Sequence, residues 1–412
     1  MEFELWWLLI IPVVFALGWF AARADLRQQS LDARRLPDAY FRGLNHLLNE
    51  ESDRAIDAFV DVVRLDPEAA ELHFALGNLF RRRGETDRAI RVHEHLAGRM
   101  DLSEKVRDQA HYELGQDYLK AGLLDRAEAV FARLARSGLA TRAAICRLEI
   151  AQTERDWARA IVLGRELLAI PAEGLDASER EPLQVVAQWI IHFYCEQAAQ
   201  ALGQASAGGG EEALQRAQTA LSDAAVTPAG ARHPRVLQLS AELARQRGDF
   251  PASIAAWLAL GESDPIYLAP VAQQVLDVWR EAGRLVEGIR WLQSCHLREP
   301  SSDFVQAIAH AKRALEGLPA AQAWATQALA ERPSLQGLES LLALRESSVS
   351  PGESRTDLDD ALIRQLLRPQ LQRVSRYRCL QCGFEGRQFH WHCPGCHRWA
   401  SCSPRRIEEI QG

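Results

Sequence analysis

The sequence predicts an all-α protein built from repeated pairs of antiparallel helices, and three observations carry that expectation. Its 412 residues are 47% hydrophobic with only 7% aromatic residues, and the abundant Ala, Leu, Arg and Glu favour helix packed on helix. A short segment recurs at fixed spacing: Ser52-Asp53-Arg54-Ala55-Ile56 returns as Thr86-Asp87-Arg88-Ala89-Ile90, 34 residues on. Prolines then punctuate the later chain at Pro265, Pro300 and Pro333, in steps of 35 and 33. A proline at that interval stops one helix per unit, because it lacks the N–H that a helix interior needs.

Within a unit, Gly is followed twelve residues later by Ala, then four later by a large residue and eight later by Pro, as in Gly43, Ala55, Phe59 and Pro67. This is the tetratricopeptide pattern, in which small residues sit where two helices cross and a large one fills the gap to the next repeat. Gly77 keeps the register, and a third copy follows four residues late with Gly115, Tyr118, Gly122, Ala127 and Phe131. Trp157-Ala158-Arg159-Ala160-Ile161 marks a fourth, while Trp257, Leu292 and Ala325 stand eight residues before the three prolines. About eight units are expected between residues 36 and 346, with residues 203–210 (GQASAGGG) forming a loop inside one poorly matching unit.

The motif residues are structural, so function belongs on the concave face, lined by the first helix of each repeat. The outward positions there are Tyr40, Leu44 and Leu47 in the first unit, then Phe74, and then Asn78, Arg81, Arg82, Tyr112, Gln116 and Lys120. The last six form the expected partner-binding groove, since amides and cations beside aromatics suit an acidic or C-terminal peptide. A solvated polar face with no dedicated ligand is the alternative.

Residues 5–22 (LWWLLIIPVVFALGWFAA) carry no charge over eighteen positions, roughly 27 Å of helix, enough to cross a bilayer core. Trp6, Trp7 and Trp19 lie near its two ends, where indoles prefer the membrane interface. A cleaved signal peptide is the rival, with Ala22-Arg23-Ala24 as cleavage site, but Glu2 and Glu4 make the leading segment acidic where it should be basic. Arg23, Arg27, Arg34 and Arg35 all follow the span, which places the body of the protein on the cytoplasmic side. Cys146, Cys195 and Cys295 are scattered singly, as buried small hydrophobes in a reducing compartment. The expected organisation is a transmembrane anchor over 1–22, a juxtamembrane linker over 23–35, a solenoid over 36–346, a hinge and short helix over 347–372, and a ribbon over 373–406. The hinge is SSVSPGESRT, and the helix, near 358–367, is expected to stop at Pro369.

The ribbon carries the chemistry. Cys379 and Cys382 form one C-x-x-C pair, Cys393 and Cys396 another, with ten residues between. Two such knuckles aim four thiolates at one point and satisfy a tetrahedral divalent ion; one pair by itself would read equally as a redox motif. Zinc is placed ahead of iron, although a rubredoxin-like site uses the same four sulfurs. With every position taken by a protein thiolate, the site is closed and structural. His390, His392 and His397 crowd it as outer-shell or surface groups, and Cys402 falls outside the pattern. Residues 373–406 hold seven Arg against Glu385, a charge of +6 within an overall −7. Such a ribbon can bind nucleic acid, dock on its own acidic solenoid or grip an acidic partner, but the acidic remainder opposes a polyanion. Phe384, Phe389, Trp391 and Trp399 favour a packed protein interface, because so small a ribbon cannot bury them all.

The anchor, the run GNLFRRRGETDRAIRVHE and the ending RYRCLQCGF…HWHCPGCHRWA together resemble the lipopolysaccharide assembly protein B family, also called YciM. The resemblance covers nearly the whole chain, and between residues 140 and 346 it is mainly one of architecture. It implies a single-pass inner-membrane protein with a periplasmic N-terminus that regulates lipopolysaccharide synthesis. It further implies work with the membrane AAA+ protease FtsH to degrade the deacetylase LpxC, and contact with a membrane protein that senses lipopolysaccharide. Carried onto this chain, Cys379, Cys382, Cys393 and Cys396 hold the metal. The alternative is a non-proteolytic scaffold that assembles envelope-synthesis enzymes; nucleic-acid binding ranks below both, and a homodimer is left open. Enzymatic activity ranks last: the chain has no GxxxxGK[ST], GxSxG or HExxH, and His46, His73, His93 and His111 are expected as helix surface or packing residues.

Overall fold

In the computed structural model, the recurring glycines mark places where two helices cross too closely for a side chain. A Cβ on Gly77 would lie 2.4 Å from the ring of His93, and one on Gly115 would lie 2.6 Å from the ring of Phe131. The alanines of the repeated motif, Ala89, Ala127 and Ala160, are completely buried at the same crossings. Gly115→Val is therefore expected to overpack its repeat and cost about 1–3 kcal/mol, read as faster amide exchange across residues 104–133; unchanged protection would show that Phe131 gives way freely.

The structure describes residues 70–170, 177–346, 362–369 and 374–410, together with positions 19, 42, 43, 45, 46, 51, 54, 58 and 371. Outside these lie nearly all of the expected span 5–22, the linker 23–35, most of the first repeat with Tyr40, Leu44 and Leu47, and the hinge 347–356. Among the described residues no helix is long and apolar enough to cross a membrane.

The chain divides into two compact units, residues 1–183 and 184–412. The first contains three helix pairs: α1 (Ala70–Arg83) with α2 (Thr86–Gly98), α3 (Glu104–Lys120) with α4 (Leu124–Arg133), and α5 (Ala140–Thr153) with α6 (Trp157–Leu168). The second begins within α7 (Ala177–Gln204) and continues with α8 (Gly210–Val226), then the pairs α9 (Pro234–Gln246) with α10 (Phe250–Ser263), α11 (Ala272–Glu281) with α12 (Leu285–Arg298), and α13 (Ser302–Glu316) with α14 (Leu318–Glu331). Helix α15 (Leu335–Glu346) packs on α14.

One turn chemistry joins the helices within a pair. Gly84, Gly122, Gly248 and Gly283 all have left-handed φ of 71–81°, and in each case the next amide reaches back to a carbonyl in the last helical turn, as Glu85 N–H does to Phe80 O at 2.9 Å. That is the glycine-ended helix stop. Between α5 and α6 Arg155 occupies the same position at φ 58°, which explains why the fourth copy is harder to recognise by its glycine. The prolines behave as expected: Pro265, Pro300 and Pro333 each follow the end of α10, α12 and α14 by two residues, while Trp257, Leu292 and Ala325 are buried.

Two expectations change. Residues 203–210 do not form an open loop. Helix α7 runs to Gln204, a π-helical turn follows over Ala205–Gly209, and the chain breaks at Gly208 (φ 104°) and Gly210 (φ 61°). Ala and Ser are compatible with helix, so only the glycines can turn the chain. The short helix near 358–367 is described as helical over 362–369 and at 371, so Pro369 is itself helical and does not stop it; proline's fixed φ is compatible with helix.

In the ribbon, β1 (Tyr377–Arg378) pairs antiparallel with β2 (Glu385–Gly386), and a final short helix, α16 (Ile407–Ile410), closes the chain.

Candidate metal centre and its seat on the solenoid

The two knuckles are built alike. Cys379 N–H donates to Phe384 O at 2.8 Å and Gly383 N–H to Cys379 O at 3.0 Å; Cys393 N–H donates to Arg398 O and His397 N–H to Cys393 O, each at 3.0 Å. Gly383 (φ 74°) and His397 (φ 55°) take the left-handed position that closes each turn. These turns bring the sulfurs of Cys379, Cys382, Cys393 and Cys396 within 4.8 Å of one another. Cys379 and Cys396, and Cys382 and Cys393, are each 3.7 Å apart. Metal–sulfur bonds of about 2.3 Å in a regular tetrahedron require sulfurs about 3.8 Å apart, so the four thiols fit a divalent ion. The metal's identity is set by supply as much as by this donor set.

Within the first knuckle the surroundings favour a thiolate at Cys379 and oppose one at Cys382, where the Phe384 amide favours ionisation but the neighbouring thiols outweigh it and push the pKa up to about 12. Burial of Cys379 opposes its ionisation, but the Ser401 hydroxyl and the amides of Cys382 and Gln381 outweigh it and bring its pKa down to about 6. Gly395 N–H lies 3.4 Å from the Cys393 sulfur. Cys402 behaves differently: it is buried beside Cys379 and Cys393, and burial pushes its thiol up to about 12. It does not belong to the four-sulfur group. His390, His392 and His397 also stay outside that group; His392 Nε2 lies 2.9 Å from the His397 carbonyl and its ring 4.4 Å from that of Trp399.

The ribbon docks on the helices of its own unit, one of the uses its charge and aromatics suggested. Trp391 stacks on Tyr267 at 5.0 Å with planes 10° apart, and Trp399 stacks on His192 at 4.8 Å and 13°. Arg235, itself paired with Glu196 at 2.5 Å, lies 5.8 Å from both indoles. Phe389 packs edge-on to Tyr267, whereas Phe384 stays in the ribbon's own core against the cysteines. At the far edge Arg406 is buried, donating to Asp303 through Nε and Nη2 and to Gln336 Oε1 at 3.2 Å. Arg405 pairs with Glu299 at 2.7 Å. Glu409 caps α13, accepting from Ser302 N–H at 2.7 Å and from the hydroxyls of Ser301 and Ser302; a carboxylate is favoured at a helix N-terminus. Neither the periodicity nor the cysteine spacing pointed to His192, Glu196, Arg235, Tyr267 or Asp303. The surplus of Arg and Trp in the ribbon was the only signal that such partners had to exist.

This seat carries a pH dependence. Burial, with Arg235 nearby, depresses His233 from 6.5 to about 4 and His192 well below its ordinary value. Both Nδ1 atoms are buried without a hydrogen-bond partner. An undocked His titrates near 6.5, so the stabilisation is complete above about pH 6.5 and lost as pH falls toward about 4, by roughly 3 kcal/mol for His233. Amide exchange of residues 374–410 is expected to accelerate over that window, and less so in His233→Gln, which has nothing to titrate there. Identical profiles would exclude this ring.

The expected partner groove proves to be inter-repeat wiring in four of its six positions. Arg81 donates to Asn78 at 2.5 Å, Glu113 at 2.6 Å and Asp117 at 2.8 Å, and Asp117, completely buried, also bonds His93 Nδ1 at 2.5 Å. Tyr112 and Gln116 reach Cys146 of the next repeat at 3.8 and 3.0 Å. Burial holds Tyr112 up to about 12 and Cys146 up to about 11, so both remain neutral. Arg82 and Lys120 are exposed. Because the repeat is about 34 residues long, side chains one repeat apart on the first helices necessarily face each other.

Residues 377–404 match the family described as "Rubredoxin metal binding domain", the zinc ribbon of LapB. A solved tetratricopeptide repeat protein from Parabacteroides merdae overlaps 76% of this chain and 99% of its own, at 13% identity and a TM-score of 0.30, too distant to add to the helix pairing seen directly. Over 411 residues the chain is 25% identical to lipopolysaccharide assembly protein B of Haemophilus influenzae, covering 97% of this chain and 98% of the relative. Over 400 residues, and 97% of both chains, it is 30% identical to the protein of the same name from Escherichia coli K12. With the paired-helix solenoid and the four-thiol ribbon both in place, the chain belongs to the lipopolysaccharide assembly protein B family.

Proposed function

We propose that this protein is a non-enzymatic adaptor that regulates lipopolysaccharide biosynthesis, anchored in the inner membrane by residues 1–22 with its body on the cytoplasmic side, where it promotes degradation of LpxC by FtsH. The observation that carries the reading is the 30% identity along 97% of a relative named for lipopolysaccharide assembly. Two features of the chain support an adaptor over a catalyst. The metal site has four protein donors and no open position for water or substrate. A concave groove of about 760 Å³ opens among α11, α13 and α15, floored by Ala272 and Ala307 and rimmed by Arg280, His310 and Arg313, a shape suited to a peptide segment of a client.

The test is the half-life of LpxC after protein synthesis is stopped, in cells with the protein, without it, and with residues 1–22 removed. Longer half-lives on deletion and on anchor removal are the expected result. Unchanged half-lives in both, with lipopolysaccharide output altered, would replace the adaptor by a scaffold that assembles envelope-synthesis enzymes.

A further inference from the structure

Cys402 has no place in the two-knuckle pattern, yet it lies directly opposite Cys379 in an antiparallel bridge. The flanking amides define the kind of bridge. Leu380 N–H donates to Ser401 O at 2.8 Å and Ser403 N–H to Arg378 O at 3.1 Å, which leaves Cys379 and Cys402 as the non-hydrogen-bonded pair. In such a pair the Cα atoms are about 4.5 Å apart and the side chains leave on the same face, within the roughly 4.4–6.8 Å that a disulfide spans. Both residues are buried in the small core they share with Cys393. Cys382, by contrast, is exposed.

We propose that Cys379 and Cys402 form a reversible cross-strand disulfide when a hydroperoxide strips the metal from the ribbon. The exposed Cys382, a thiolate only while it ligates the metal, attacks hydrogen peroxide: an S–O bond forms, the O–O bond breaks and hydroxide leaves. The resulting sulfenic acid is no longer a thiolate ligand, and the metal passes to solvent. Cys379 thiolate attacks the Cys382 sulfur and displaces a second hydroxide, which takes the proton of Cys402. Cys402 then attacks the Cys379 sulfur and Cys382 leaves as thiolate. Net, one peroxide accepts two electrons and becomes one water and one hydroxide, while Cys379 and Cys402 are oxidised to a disulfide. Cys402 captures Cys379 because the amides of Leu380 and Ser403 still hold the two opposite each other at the moment the metal leaves, before the metal-free ribbon unfolds. The oxidised ribbon lacks one ligand and cannot reload until it is reduced. The proposal is independent of which client the solenoid binds.

The test uses the full-length, zinc-loaded protein treated with one equivalent of hydrogen peroxide, followed by alkylation of free thiols, trypsin and mass spectrometry. Cleavage at Arg378, Arg387, Arg398 and Arg405 places Cys379 with Cys382, Cys393 with Cys396, and Cys402 by itself on separate peptides. The expected product joins 379–387 to 399–405, with the link assigned by fragmentation to Cys379, Cys382 alkylated, and zinc released in step. Thiol reductant with zinc restores the starting protein. Zinc released while Cys402 is fully alkylated would overturn the proposal. Cys402→Ala provides the second readout: it is expected to bind zinc at the same stoichiometry and, after peroxide, to stop at a Cys379–Cys382 disulfide, with peptide 379–387 unalkylated and linked to no other peptide. Both cysteines of 379–387 fully alkylated after zinc release would also overturn it.

Discussion

Cys379→Ser with Cys382→Ser is expected to abolish metal binding, unfold residues 374–410 and release them from the solenoid, while leaving most of the helical content in place. The physical reason is that a ribbon with two two-residue strands has almost no core of its own; binding of a structural metal supplies about 10–16 kcal/mol in small zinc domains and is their folding energy. Loss of the ribbon exposes Tyr267 and His192 and leaves Asp303 and Glu299 without their Arg406 and Arg405 partners. Metal content, far-ultraviolet circular dichroism and protease sensitivity after Arg376 report the three parts separately. Retained protection of 374–410 without metal would show that the docking contacts alone fold the ribbon. On the proposed role in LpxC degradation, the same variant is expected to lengthen the half-life of LpxC in cells, and an unchanged half-life would show the ribbon to be dispensable for that role.

Asp117→Ala is expected to destabilise the first unit by about 3–5 kcal/mol, the usual cost of removing one member of a buried ion pair. Asp117 is completely buried and neutralises Arg81 while accepting from His93, so its loss leaves a buried His ring without a partner at either nitrogen, Nε2 being already unpaired. Arg81→Met should cost less, because Arg81 keeps some exposure and Glu113 can turn to water. Amide exchange across residues 70–133 measures both, and a double variant that is no worse than Asp117→Ala would confirm that the two act as one unit. If Asp117→Ala changed protection by less than about 1 kcal/mol, this network would not be a stabilising link between the repeats.

The repeat, its glycine and alanine crossings, its proline stops and the four ligands were legible in the sequence because each depends on local spacing. A crossing needs a small residue at a fixed offset, a stop needs proline, and a tetrahedral site needs two tight turns. Gly77, Gly115, Ala127, Trp257 and the ribbon cysteines all stand where that logic places them. What the sequence left undecided depends on side chains distant along the chain. Arg81 read as an outward cation, and only the distance to Asp117 and Glu113, 32 to 36 residues on, makes it a link between repeats. Cys402 read as spare until the antiparallel bridge set it against Cys379. The seat of the ribbon is the extreme case: Glu409 caps a helix 107 residues earlier and Arg406 meets Asp303 across 103. Local spacing determined the solenoid and the metal ligands; the fold alone decided which charged and aromatic side chains would meet, because contact between distant residues follows from how repeats stack rather than from any pattern written along the chain.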